Sequence, residues 1–135
     1  MPLPANDYLS AMAENAWVRD WSEQWIQGWD KGQSDKIAYD NLTNIELNLS
    51  LAAPDSVLAM IVSITHQMSD GRHDPLLAAG LCEEFIFRYG ETYIDVIEEL
   101  AKLSPRFRHV LGGVWRPHVP DDVWSRIEIA RGESW

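Results

Sequence analysis

Several features that would direct a protein to a particular environment are absent or scarce in this chain of 135 residues. A single cysteine, Cys82, cannot form an internal disulfide, which is typical of a reducing compartment. The longest apolar run, Val57–Val62, is much shorter than the ~20 residues of a membrane helix. The first residues lack the basic and apolar segments of a secretory signal. We therefore expect a cytoplasmic protein with no membrane partner.

Basic residues are also scarce, with 11 Lys and Arg against 21 Asp and Glu, which gives a net charge of −10. The excess is uneven, because residues 1–70 carry −7 and residues 71–135 carry −3. Such a field repels phosphate backbones and argues against a nucleic-acid partner. It would attract a basic protein and accelerate its association.

The sequence contains no recognisable catalytic, cofactor or metal motif. Glu83-Glu84 and Glu98-Glu99 resemble paired carboxylates, but adjacent helical side chains point about 100° apart. Gly112-Gly113 follows no strand and so does not match a phosphate loop. The histidines share no metal-ligand spacing with one another or with the cysteine; they are His66, His73, His109 and His118. We predict no cofactor, no metal and no catalytic residue.

One segment, 105–120, is basic and free of acids, with Arg106, Arg108, His109, Arg116 and His118. It could bind a phosphate or an acidic partner. We favour a structural interpretation, in which Arg106 and Arg108 pair with Glu98, Glu99 or the carbonyl end of the preceding helix.

No stretch alternates with period two, and apolar residues recur at helical spacing along the whole chain, which predicts an all-α fold. We expect one domain, 1–135, built as a compact bundle or a short HEAT-like stack of about six to seven antiparallel helices. Caps and glycines predict the first helix from Asn6 or Asp7 to Asp30 and the second from Ser34 or Asp35. Prolines and glycines place the later helices at 54–68, 74–89, from 91 or 92, from 105 with Ser104 as its cap, and from 121 or 122. We expect Gly80 to face the helix interior and permit close helix approach. We expect Gly112-Gly113 to end or kink a helix so that Trp115 folds back onto the core.

Four tryptophans lie four residues apart in the first helix, at Trp17, Trp21, Trp25 and Trp29. Each step of four overshoots a helical turn by about 40°, so the ladder sweeps about 120° of surface. It is either core or a docking surface. Periodicity predicts a core that contains Trp17, Trp21, Leu42, Ile45, Ile61, Ile64, Phe85, Ile97, Leu100, Leu111 and Trp115.

Acidic side chains surround this ladder on the first two helices. Aromatic anchors ringed by charge are typical of protein-recognition surfaces, although a solvated face around a buried stripe gives the same pattern. The residues we assign to partner binding are Asp20, Glu23, Trp25, Trp29, Asp30, Asp35 and Asp40.

Three segments stand out between residues 74 and 124: Leu77-Ala78-Ala79-Gly80, Ser104-Pro105-Arg106-Phe107-Arg108 and Leu111-Gly112-Gly113-Val114-Trp115. Through these segments, residues 74–124 resemble an uncharacterised family of small bacterial all-helical proteins. The chain departs from the family pattern at Leu81-Cys82 and Tyr89-Gly90, where Pro-Leu and His-Gly are usual. The family implies no reaction, and its members are similar in size and class to immunity proteins.

These observations favour a non-enzymatic inhibitor of the immunity type that covers a basic effector or toxin. The alternatives are a helical enzyme or ligand-binding domain with a site between helices, and a structural adaptor or self-assembling subunit. The sequence leaves the oligomeric state open.

Overall fold

Helices account for 77% of the chain in the computed structural model, which describes all 135 residues and contains no strand. The predicted all-α fold is therefore confirmed. The elements are α1 (Ala5–Glu14), α2 (Ala16–Lys31), α3 (Lys36–Leu51), α4 (Pro54–Gln67), α5 (Asp74–Leu77), a π-helix (Ala78–Cys82), α6 (Glu83–Leu103), α7 (Pro105–Leu111) and α8 (Asp121–Arg131). None of them has the length and apolar content needed to cross a membrane.

Helix α4 forms the centre of the bundle. Every residue from Val57 to Thr65 is buried, because α1, α2, α6 and α7 surround this helix. Helices α2 and α3 pack as a hairpin on one side, and α6 packs on α8 on the other. A helix that is apolar on all faces has to lie inside, as its sequence predicts.

The predicted caps of two helices are confirmed. The Oδ1 atom of Asp35 accepts hydrogen bonds from the backbone N–H groups of Ile37 at 3.0 Å and Ala38 at 3.2 Å. The Ser104 hydroxyl accepts one from the Phe107 N–H at 3.1 Å. Both side chains satisfy donors that the first turn of a helix leaves without partners.

The single helix predicted from Asn6 or Asp7 to Asp30 is wrong, because the chain turns at Asn15. This residue is extended, with φ −124° and ψ 109°, and separates α1 from α2. Asparagine has a low helix propensity, so tertiary packing decides its backbone conformation. The break lets α1 pack on α4 and α6 instead of continuing away from the core.

In the second half of the chain, Gly90 and Gly80 do not have their predicted roles. Gly90 lies inside the continuous helix α6, where a Cβ atom would stand 3.4 Å from Val123 of α8, so this glycine permits close packing. Gly80 was expected to face the interior, yet it is exposed and a Cβ there would meet nothing within 4 Å. It belongs to the π-helix, whose wider turn shifts the residues before it out of α-helical phase with those after it.

Two tryptophans assigned to the core are exposed, Trp17 by 41% and Trp115 by 79%. The space beside Gly112 and Gly113 belongs instead to Trp135, whose indole N–H donates to the carbonyl of His109 at 2.6 Å. The other predicted core residues are buried, except for Trp21, which is half-buried against the core.

Candidate functional site

The outer side of α2 combines an aromatic side chain with acids. Trp17 is exposed, and its ring meets that of Trp21 edge-on with 5.7 Å between centroids. Asp20 and Glu23 follow at steps of three residues, so the three side chains are neighbours along the helix surface. We call Trp17, Asp20 and Glu23 the α2 surface.

The tryptophan ladder crosses from solvent into the core and out again, as its drift of about 40° per step requires. Trp25, assigned to partner binding, is only 1% exposed, so that assignment is wrong. Its indole N–H is buried without a hydrogen-bond partner. Trp29, which is 39% exposed, packs edge-on against Trp25 at 6.2 Å and remains accessible to a partner.

Asp30, also assigned to partner binding, is held within the chain. Its carboxylate accepts two hydrogen bonds of 2.8 Å from Arg72 and lies 2.6 Å from the His73 imidazole. Hydrogen bonds from Arg72, and then the His73 contact, hold the pKa of Asp30 well below its usual range. The cluster fastens the loop after α4 to the end of α2, which gives Asp30 a structural role.

The other acids assigned to partner binding differ in whether their carboxylates already have partners within the chain. Asp35 caps α3, and Asp40 pairs with Lys36 at 2.8 Å. Asp20 lies 3.5 Å from the exposed Arg19, while Glu23 contacts only the amide of Gln27 at 3.4 Å. The α2 surface therefore retains carboxylates that a partner can reach.

A second surface surrounds the π-helix and was missed in the sequence. One groove, of about 300 Å³, lies between α3 and α6, with Glu46 and Glu84 on its two sides. Another, of about 270 Å³, continues past Gly80 to Phe87 and His118. The sequence signal for the π-helix is weak. The buried residues Leu77 and Cys82 are five apart, one more than α-helical spacing gives. Leu81, at the α-helical spacing of four from Leu77, is also apolar, so the sequence alone is compatible with an ordinary α-helix.

The basic segment forms internal bonds, as the structural interpretation predicted, but with different partners. Arg106 pairs through two nitrogens with the buried Asp74, at 2.7 and 3.0 Å, and also donates to the carbonyls of Thr65 and Met68. It therefore closes the carbonyl end of α4. The expected pairing with Glu98 is wrong, because Arg126 of α8 binds that carboxylate and lowers its pKa.

Two buried polar clusters bear on possible chemistry. The Nε2 atom of His66 lies 3.0 Å from the Ser104 hydroxyl, and burial followed by the charge of Arg106 lowers the pKa of His66. Because Ser104 is buried and already caps α7, this pair serves the helix rather than an exposed substrate. Tyr8 and Tyr93 both donate to one oxygen of Asp55, at 2.6 and 2.7 Å, which joins α1, α4 and α6.

Cys82 is buried, and burial, reinforced by the charge of Glu83, raises the pKa of its thiol to about 12. A thiol with this pKa is protonated and unreactive at neutral pH. The structure contains no group of three or more His, Cys, Asp or Glu side chains with the geometry of a metal site.

A family model described as a family of unknown function, DUF6869, matches residues 28–135. The chain belongs to this family. The resemblance inferred from residues 74–124 is thereby confirmed and extends back to the end of α2. No curated protein and no solved structure matches the chain. The family region includes the π-helix and both of its grooves, whereas Trp17, Asp20 and Glu23 precede it.

Proposed function

We propose that this protein binds another protein without catalysis, as an inhibitor of the immunity type that neutralises a basic effector or toxin by covering it. The observation that carries the proposal is the α2 surface, where the exposed ring of Trp17 adjoins Asp20 and Glu23. Tryptophan is enriched at the energetic centres of interfaces, and rim charges steer the encounter. With its single buried thiol, the protein would act in the cytoplasm.

The charge of the whole chain supports a basic partner. The net charge of −10 is concentrated in residues 1–70, which contain the α2 surface. A field of this sign accelerates the approach of a positively charged protein, and salt weakens it beyond a Debye length of about 8–10 Å.

The test is a binding-kinetics series on a partner obtained by affinity capture and then purified. Asp20→Asn with Glu23→Gln should slow association at low salt and leave dissociation nearly unchanged, because exposed charges act on the encounter. Trp17→Ala should instead speed dissociation, since it removes a desolvated anchor. Trp115→Ala is the matched control, because this tryptophan is more exposed and lies elsewhere on the molecule.

The proposal fails if association is independent of salt and of both acidic replacements. It also fails if Trp115→Ala weakens binding as much as Trp17→Ala, because the effect would then not be specific to the α2 surface.

A further inference from the structure

The groove between α3 and α6 has an apolar floor and acidic sides. Leu49 of α3, Val57 of α4 and Phe85 of α6 are buried beneath it, and the half-buried Tyr89 lines it. Glu46 of α3 lies on one side and Glu84 of α6 on the other. A ligand that fits here has to present apolar surface to the floor and positive charge to the sides.

The charges along the groove are only partly neutralised within the chain. Glu46 has no ion pair, whereas Glu84 pairs with Arg88 through Nε at 3.1 Å. Arg88 also donates to the carbonyl of Ser50, at 2.9 Å, in the last turn of α3. That helix end carries the negative pole of the helix dipole. The chain thus already places one guanidinium beside Glu84, whereas the carboxylate of Glu46 is left without an internal counter-charge.

The π-helix connects this groove with the second one. Ala79, Gly80 and Glu84 line both grooves, and the second adds Glu83 and the exposed ring of Phe87. Because Gly80 has no side chain and open space above it, the surface stays unobstructed where the two grooves meet. We call the two grooves together the π-turn surface.

We propose that the π-turn surface binds an extended segment of another protein in which lysine or arginine alternates with apolar residues. The ammonium or guanidinium group pairs with Glu46 and shares Glu84 with Arg88, and the stem of the side chain lies on the half-buried Tyr89, whose aromatic face also attracts cations. Neighbouring apolar side chains of the segment cover Phe87. This site is separate from the α2 surface and does not depend on the function proposed above.

The first experiment titrates the full-length ¹⁵N-labelled protein with a blocked hexapeptide of alternating lysine and leucine. Saturable shifts of the backbone amides of Gly80, Glu84 and Tyr89 are expected. A hexapeptide with glutamate in place of lysine should cause none, because the sides of the groove repel it. Butylammonium alone should bind far more weakly than the lysine peptide, because it lacks the apolar neighbours.

Variants locate the site. Glu46→Gln with Glu84→Gln should weaken the peptide by at least about tenfold, since both charges are removed. Asp20→Asn with Glu23→Gln is the matched control, which removes two acids from the α2 surface and should leave peptide affinity nearly unchanged. Gly80→Leu should abolish binding without lowering the melting temperature, because its side chain enters open space between the grooves.

The proposal is overturned if the lysine peptide does not saturate, or if the Glu46 and Glu84 double variant binds it as well as the parent. Equal affinity for butylammonium would also overturn it, because the site would then recognise a small cation alone. Loss of peptide binding in the α2 control would show that net charge, not this groove, attracts the peptide. None of these results depends on whether a natural partner uses the α2 surface, so the two proposals fail separately.

Discussion

At the scale of single residues, the pair of Asp74 and Arg106 is the most buried ion pair in the fold. The Asp74 side chain is only 3% exposed, and Arg106 binds it through two nitrogens. Asp74→Asn should lower the free energy of unfolding by about 3–5 kcal/mol, because it leaves a guanidinium without its counter-charge in a largely buried place. Urea denaturation followed by circular dichroism measures the change.

The matched control for this prediction is Asp40→Asn. Its ion pair with Lys36 is as short, at 2.8 Å, but both side chains are at least half exposed. Removal of this pair should change the free energy of unfolding by no more than about 1 kcal/mol. Similar losses in the two variants would mean that the burial of Asp74 does not strengthen its pair.

Residue-level expectations from the sequence succeeded where local chemistry decides the outcome. Asp35 and Ser104 are caps because short polar side chains satisfy the donors next to them. Trp25 and Trp115 were misplaced because burial depends on distant residues. The drift of the ladder around α2 places Trp25 in the core. Trp135 occupies the space beside Gly112 and Gly113 that was assigned to Trp115.

At the scale of helices, the hairpin of α2 and α3 depends on the absence of a side chain at Gly28. A Cβ atom there would lie 2.5 Å from the Cβ of Leu42, so Gly28→Ala has to push the two helices apart. We expect a net loss of stability, because overpacking costs about 1–3 kcal/mol and alanine recovers only about 1 kcal/mol in helix propensity.

Gly80→Ala is the counterpart of this variant in the π-helix. Because its Cβ would meet nothing within 4 Å, only the gain in propensity remains, and stability should rise by up to about 1 kcal/mol. Thermal unfolding of both variants against the parent checks the pair. If Gly28→Ala is as stable as the parent, or Gly80→Ala is strongly destabilised, the packing described for these glycines is wrong.

The helices themselves were largely predictable, whereas their junctions were not. Proline and cap residues locate the starts of α4 and α7, because these signals act within one turn. The break at Asn15 and the continuity of α6 through Gly90 depend on packing against other helices. The π-helix has only a weak local signal, the five-residue spacing of Leu77 and Cys82, so sequence periodicity did not reveal the grooves that it forms.

At the scale of the whole molecule, the excess of acidic residues has a structural cost. Arginines on the loop after α4 and on α7 and α8 are committed to internal carboxylates, as in the pairs of Arg72, Arg106 and Arg126. Several acids have no ion pair, among them Glu23, Glu46 and Glu83. The proposed binding surfaces contain these three acids, so the charge that would attract a partner also repels itself in the free protein.

This self-repulsion predicts that salt stabilises the free protein. Raising sodium chloride from about 10 to about 300 mM should raise the melting temperature, because screening acts on the excess acids while the buried pair of Asp74 and Arg106 is screened little. Replacing Glu23, Glu46 and Glu83 by Gln, which changes the net charge from −10 to −7, should raise the melting temperature at low salt and reduce its salt dependence. Replacing Lys31 and Lys36 by Gln, which gives a net charge of −12, should lower the melting temperature at low salt and increase its salt dependence.

A melting temperature that falls with salt in all three proteins would mean that exposed ion pairs outweigh the excess charge. The acids of the proposed binding surfaces would then not destabilise the free protein, and a binding role would not be needed to explain their presence.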